Sequence, residues 1–166
     1  MIFRQGFFAW CPALFDKLRV YLSFLKGVTN EQPREVANME DSRNKHGKFS
    51  WNELLTTDPE GAKEFYGQLF GWTNQEWPMS DFNYSIVKAG DTDVGGIMSI
   101  PSHAKGMPPT WGAYVTVDDV DATAALAEKL GGKVCIPPTD IPTVGRFTVI
   151  QDPQGATLSA ITYVKK

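Results

Sequence analysis

The chain has 166 residues, 42% of them hydrophobic and 12% aromatic, which is enough to bury a core and excludes a wholly disordered protein. Its formal net charge of −3 is uneven: residues 1–46 carry seven Lys/Arg against five Asp/Glu, and residues 47–166 nine against fourteen. That acidic balance argues against nucleic acid as a partner. No run of about 20 apolar residues predicts a membrane span, and two cysteines, Cys11 and Cys135, are too few for a disulfide framework or a thiolate metal centre.

Residues 1–46 are expected to form an N-terminal extension and linker. After Pro12, Leu14, Leu18, Leu22 and Leu25 recur at helical spacing, so an amphipathic helix is predicted over 12–26. As a signal peptide the stretch is poor, because Pro12 and Asp16 break its apolar run and no small-residue cleavage site follows. An alternative is that Met39 is the true start. Residues 29–47 are polar and aperiodic, and His46 within them is expected to be solvated. Low cysteine usage and the weak targeting signal together predict a reducing, cytoplasmic location.

From Phe49 the pattern sharpens. Trp51, Glu53 and Leu55 alternate with Asn52 and Leu54, the period of a strand. Thr57 or Asp58 can cap a helix, Pro59 suits its first position, and Glu60 meets the helix dipole favourably. Ala62, Phe65, Tyr66 and Leu69 form the predicted apolar face, and Gly71 ends the helix. Strands are then predicted over 72–77, 82–88 and 94–100, the last with Gly95-Gly96, a pair that marks a bulge or a close backbone approach. Residues 101–110 are a Pro/Gly-rich connection holding His103, expected to be exposed.

The order then recurs. A strand is predicted over 111–117. A helix follows to Leu130, capped by Asp118 or Asp119, with Ala122, Ala125, Leu126 and Leu130 apolar. Strands at 133–136, ended by Pro137-Pro138, at 145–151 and at 156–164 complete it. Strand-helix-strand-strand-strand has occurred twice, with a period of about 60 residues and a shared Thr-x-Asp step from strand into helix. The predicted fold class is therefore α+β: two βαβββ modules, 48–100 and 111–164, joined by 101–110 within a domain spanning 47–166.

With LLTTDPEGAKEFYGQLFGW in the first module, and VTVDDVDATAALAEKLGGKV and FTVIQDPQGATLSAI in the second, the chain resembles the vicinal oxygen chelate superfamily. This superfamily includes glyoxalase I, extradiol dioxygenases and bleomycin resistance proteins. The resemblance covers about 48–163. It implies that each module curls into a half-open barrel around a central cavity, and that members often pair as homodimers. In metal-dependent members, His, Gln or Glu on the first and last strands of each module hold a divalent ion. Those positions fall here on Trp51, Met98, Gly112 and Ser159, none an imidazole or carboxylate, so no metal or other cofactor is expected.

Glu53 lies one pleat beyond Trp51 and should face the cavity. Trp51, Tyr84, Met98, Tyr114, Arg146, Thr157 and Ser159 are its expected lining, an aromatic and apolar wall with a few polar groups, which suits a small-molecule pocket. Glu53 is either a general base, its pKa raised by burial, or a structural carboxylate held by Arg146, Tyr114 or a backbone donor. Three functions follow: a bleomycin-resistance-like protein that binds a small organic ligand, a glyoxalase-like lyase or isomerase using Glu53, or an interaction module whose cavity its own side chains fill.

Overall fold

The structure is a computed structural model and describes residues 45–77 and 83–165. The helix predicted over 12–26 and the extension up to residue 44 lie outside these residues. The elements in order are β1 Phe49–Thr56, α1 Pro59–Phe70, β2 Thr73–Trp77, β3 Tyr84–Ala89, β4 Thr92–Ser99, a short 3-10 turn Ser102–Ala104, β5 Thr110–Thr116, α2 Val120–Lys129, β6 Lys133–Ile141, β7 Gly145–Gln151 and β8 Thr157–Tyr163. The predicted βαβββ order thus occurs twice.

All eight strands join one sheet in the order β2-β3-β4-β1-β5-β8-β7-β6. β1 and β5 pair antiparallel at its centre, and each pairs in parallel with the last strand of its own module, β4 or β8. The sheet does not close, because β2 and β6 are its two outer strands. Parallel pairing of first and last strands requires a crossover, and the single helix of each module supplies it.

The two helices begin as the sequence dictates. Asp58 accepts from the Gly61 N–H at 3.0 Å and Asp119 from the Ala122 N–H at 2.9 Å, so the second of each candidate pair is the cap. Gly71 ends α1 in the left-handed region, at φ 70°, where a side chain would be strained.

The helices pack on one face of the sheet. There Leu54, Val87 and Ile97 form a core with Ala62, Tyr66 and Trp72 against them, and Val117, Val120 and Ala160 form a second core with Val115. The predicted helix faces need correction. In α1, Ala62 and Tyr66 turn inward while Phe65 and Leu69 stay more than half exposed. In α2 the buried residues are Val120 and Ala124, and Ala122, Ala125, Leu126 and Leu130 are exposed. Alanine is apolar on either side of a helix, so spacing alone misjudges the rotation.

Pro137-Pro138 does not end β6, which runs on to Ile141. β6 is an outer strand with register shifts on both sides of Ile136, and proline is tolerated where no ladder donor is needed. His46 is exposed as expected, though its Nδ1 accepts from the Asp118 N–H at 3.1 Å.

Candidate functional site

The face of the sheet away from the helices carries the chemistry. Register places side chains on it in rows. Glu53 of β1 lies opposite Gly96 of β4 on one side and Gly112 of β5 on the other. Trp51 lies opposite Tyr114, which lies opposite Ser159 of β8, and Tyr84 lies opposite Met98, which lies opposite Leu55. Directly paired residues project to the same face, so Trp51, Glu53, Tyr84, Met98, Tyr114 and Ser159 share it.

Hydrogen bonds join this set into one network. The Tyr114 hydroxyl donates to Glu53 Oε2 at 2.8 Å. The Tyr84 hydroxyl hydrogen-bonds the same carboxyl and accepts from Trp51 Nε1 at 2.8 Å. Ser159 hydrogen-bonds the Tyr114 hydroxyl from the next strand. A bare Cβ at Gly96 would collide with the Tyr84 side chain, whereas the close backbone approach expected of the glycine pair falls at Gly95. There a Cβ would lie 2.6 Å from the Asn52 carbonyl oxygen, so Gly95 is required by backbone rather than by the site.

Burial pushes the Glu53 carboxyl above the usual carboxylate range, and the hydrogen bonds from Tyr114 and Tyr84 pull it partly back. Burial, with the adjacent Glu53 charge adding to it, likewise holds the Tyr84 and Tyr114 phenols far above their ordinary value. Both phenols therefore stay neutral donors at neutral pH. Glu53 nonetheless keeps part of its surface open to solvent. A carboxyl with two fixed donors can accept further hydrogen bonds, balance a positive charge, or take up a proton.

Three predicted residues stand apart from the network. Arg146 does not line this face. Its neighbour Phe147 packs beside Tyr114, with ring centroids 6.4 Å apart, and alternation turns Arg146 to the other face. There it donates to both Asp121 oxygens of α2, at 2.8 and 3.0 Å, and to Asp140 at 2.9 Å. The structural partners of Glu53 are thus two phenols and not Arg146. Thr157 has the parity of Ser159 but sits exposed at the start of β8, opposite Gln151. Met98 is 8% exposed and belongs to the wall beneath Tyr84.

Sequence reasoning missed Phe147 and Tyr163. The Tyr163 hydroxyl donates to Ser50 Oγ at 3.2 Å. Continuing the period of two from Ser159 along β8 would have found Tyr163. An apolar cleft of about 330 Å³ lies on the opposite face, lined by Asn52, Trp72, Val94 and Trp111 among others. It contains no titratable side chain, so the acid and the phenols identify the candidate site.

The positions that would hold a divalent ion in the resembled superfamily carry an indole at Trp51, a thioether at Met98, no side chain at Gly112 and a hydroxyl at Ser159. The register also shows that Gly96, rather than Met98, is the counterpart of Ser159, since Gly96 lies opposite Glu53 as Ser159 lies opposite Tyr114. Among the described residues no three His, Cys, Asp or Glu side chains converge. Glu53 is one carboxylate already engaged by two phenols. This donor set does not fit a resident divalent cation.

Comparisons with known proteins agree with the topology. Residues 48–159 match the model of the Glyoxalase/Bleomycin resistance protein/Dioxygenase superfamily. The chain is 47% identical over 119 residues to CFP32, a candidate glyoxylase of Mycobacterium tuberculosis, covering 71% of this chain and 45% of that protein. It is 31% identical to the anthracycline biosynthesis protein DnrV of Streptomyces peucetius, over 66% of this chain and 45% of the relative. The chain thus spans about half the length of these curated relatives. Among solved structures it is similar to methylmalonyl-CoA epimerase from Mycobacterium tuberculosis, with a TM-score of 0.55 at 13% identity over 75% of this chain and 96% of that one, a likeness of fold.

Proposed function

The chain belongs to the glyoxalase/bleomycin resistance protein/dioxygenase superfamily, and on that premise we propose that it binds a small organic ligand on the sheet face around Glu53, without a metal. One observation carries this reading. A partly exposed glutamate has its carboxyl held by two tyrosine hydroxyls on a sheet face that also carries Trp51, Met98 and Phe147. Aromatic and apolar walls with a few oriented polar groups are the usual make-up of a ligand site. A relative named for anthracycline biosynthesis supports an organic ligand. A fragment screen by ligand-observed NMR tests it: binders displaced or weakened by Glu53→Gln and Tyr114→Phe are expected. A screen without such binders would favour a face filled by its own side chains.

A second reading is a glyoxalase-like lyase or isomerase in which Glu53 removes a proton from carbon. The raised pKa of Glu53 favours it, because a stronger base is better matched to that step. Turnover of an α-ketoaldehyde–thiol adduct, abolished in Glu53→Gln, is the expected result. Turnover that survives the substitution would remove Glu53 from the role.

A cytoplasmic location and a homodimer belong to the same proposal. Among the described residues Cys135 is exposed and has no disulfide partner, which supports a reducing compartment. Among the described residues no helix is long and apolar enough to cross a membrane. Strands β2 and β6 leave outer edges that a second copy could extend. Sedimentation of the purified protein tests the dimer.

A further inference from the structure

We propose that the site selects a protonated organic amine with an aromatic or apolar body, its ammonium taken by Glu53 and its body by the rings of Trp51, Tyr114 and Phe147. This rests on the binding reading above and adds the charge class of the ligand.

The charge of the site is one-sided. Among the described residues, burial and two neutral phenols act on Glu53, and no cation hydrogen-bonds it. Two cations of the same sheet are committed elsewhere: Lys88 of β3 to Asp93 at 2.6 Å, and Arg146 of β7 to Asp121 and Asp140 on the other face. A carboxylate offers about four acceptor positions. Tyr114 and Tyr84 supply two donors, so capacity for further donors remains. An anionic ligand would meet like charge in a poorly hydrated place. A neutral one would leave the carboxylate uncompensated. An ammonium supplies both the donors and the countercharge that a partly buried carboxylate lacks.

The surroundings suit the rest of such a ligand. Gly112 flanks Glu53 on β5, where an added Cβ would meet only the Glu53 carbonyl oxygen at 3.9 Å, so a head group has room on that side, while Tyr84 fills the space over Gly96 on the other. The rings of Tyr114 and Phe147 lie 6.4 Å apart at 48°. Aromatic faces attract a cation through the ring quadrupole and bury an apolar body at the same time. Trp51 is held through its indole N–H on Tyr84, so the wall is ordered before the ligand arrives.

Calorimetric titration of the full chain with benzylamine, benzyl alcohol and benzoate at neutral pH tests the assignment. Benzylammonium should bind roughly tenfold or more tightly than the alcohol, as a charged hydrogen bond implies, and benzoate should not bind. Its affinity should rise with pH across the acidic range as Glu53 ionises, and Glu53→Gln should remove both the preference and the pH dependence. Circular dichroism confirms that the variant is folded, and Glu53→Asp, which keeps the charge, should retain the preference for benzylammonium. Equal binding of the alcohol or benzoate would overturn the charge class while leaving a ligand site standing. Failure of benzylammonium to bind, or binding unaffected by Glu53→Gln, would overturn the assignment outright.

Discussion

Glu53 and Tyr114 occupy the same step of their two modules, each five residues before a helix-capping aspartate, Asp58 or Asp119, and they meet through a hydrogen bond of 2.8 Å. The antiparallel pairing of β1 with β5 brings these related positions to one face at the centre of the sheet. One module contributes the acid and the other a donor for it. The site is therefore completed only when both modules are joined.

Removing that donor should act on both stability and charge. Tyr114→Phe leaves the aromatic ring and deletes the hydroxyl. Hydrogen bonds to charged groups contribute about 1.5–3 kcal/mol, so a loss of that order in denaturant unfolding is expected at a pH where Glu53 is ionised. Because the Tyr114 bond holds the Glu53 pKa down, the carboxyl should titrate higher in the variant. Carbon-detected NMR of the Glu53 side chain measures this, and an unchanged or lower value would contradict the network.

Glu53 also sets a pH dependence of defined sign. Its pKa in the folded chain lies above the usual carboxylate range, so the folded state holds this proton more tightly than the unfolded state does. Stability from this group is then full below its unfolded pKa and is lost as pH rises through its folded pKa. Exposed Glu76 and Asp121 are shifted the other way and pull the total in the opposite direction. The difference between wild type and Glu53→Gln isolates the group. Relative to the variant, the wild type should lose stability as pH rises from the ordinary carboxylate range through the raised value, and unfolding curves at several pH values would show it.

Gly96 should tolerate no side chain. In Gly96→Ala the added methyl would occupy the place of the Tyr84 hydroxyl, forcing Tyr84 away from Glu53 and Trp51. Overpacking of this kind costs about 1–3 kcal/mol. Because the clash is with one side chain, Tyr84→Ala should relieve part of it. The double variant is expected to be less destabilised than the sum of the two single ones, a coupling that a double-mutant cycle in denaturant reads directly.

Arg146 serves as the contrasting case. Its guanidinium joins α2 to the tip of the β6–β7 hairpin through Asp121 and Asp140 on the helix face. Arg146→Ala should lower the thermal midpoint slightly and leave ligand affinity unchanged, since exposed ion pairs contribute little. Affinity that falls with Arg146→Ala while the fold is intact would place Arg146 back among the binding residues.

Much of the fold was legible because its signals are local. Strand alternation, the aspartates before each helix, Pro59 at a helix start and Gly71 at a helix end are all short-range properties of backbone and side chain. Where local signals are ambiguous, the structure departs from the sequence pattern. The inward faces of α1 and α2 are rotated from those the spacing predicts, because Phe65 and Leu126 carry the same apolar signature as buried residues yet stay in solvent. β6 runs past its prolines to Ile141, because it is an outer strand, a position that the local sequence does not reveal.

The candidate site divides along the same line. By itself the sequence determined that Trp51 and Glu53 share a strand face and that the glycine pair of β4 marks a bulge or a close backbone approach. Those statements need only the period of two and the chemistry of the residues. Only the tertiary structure decided what Glu53 meets. Tyr114 is 61 residues away and reaches it through strand register, Tyr84 reaches it over Gly96, and Arg146 turns to the helix face. Pairing across strands is a long-range choice, made by the packing of both modules together, and one residue of register exchanges a side chain between the two faces.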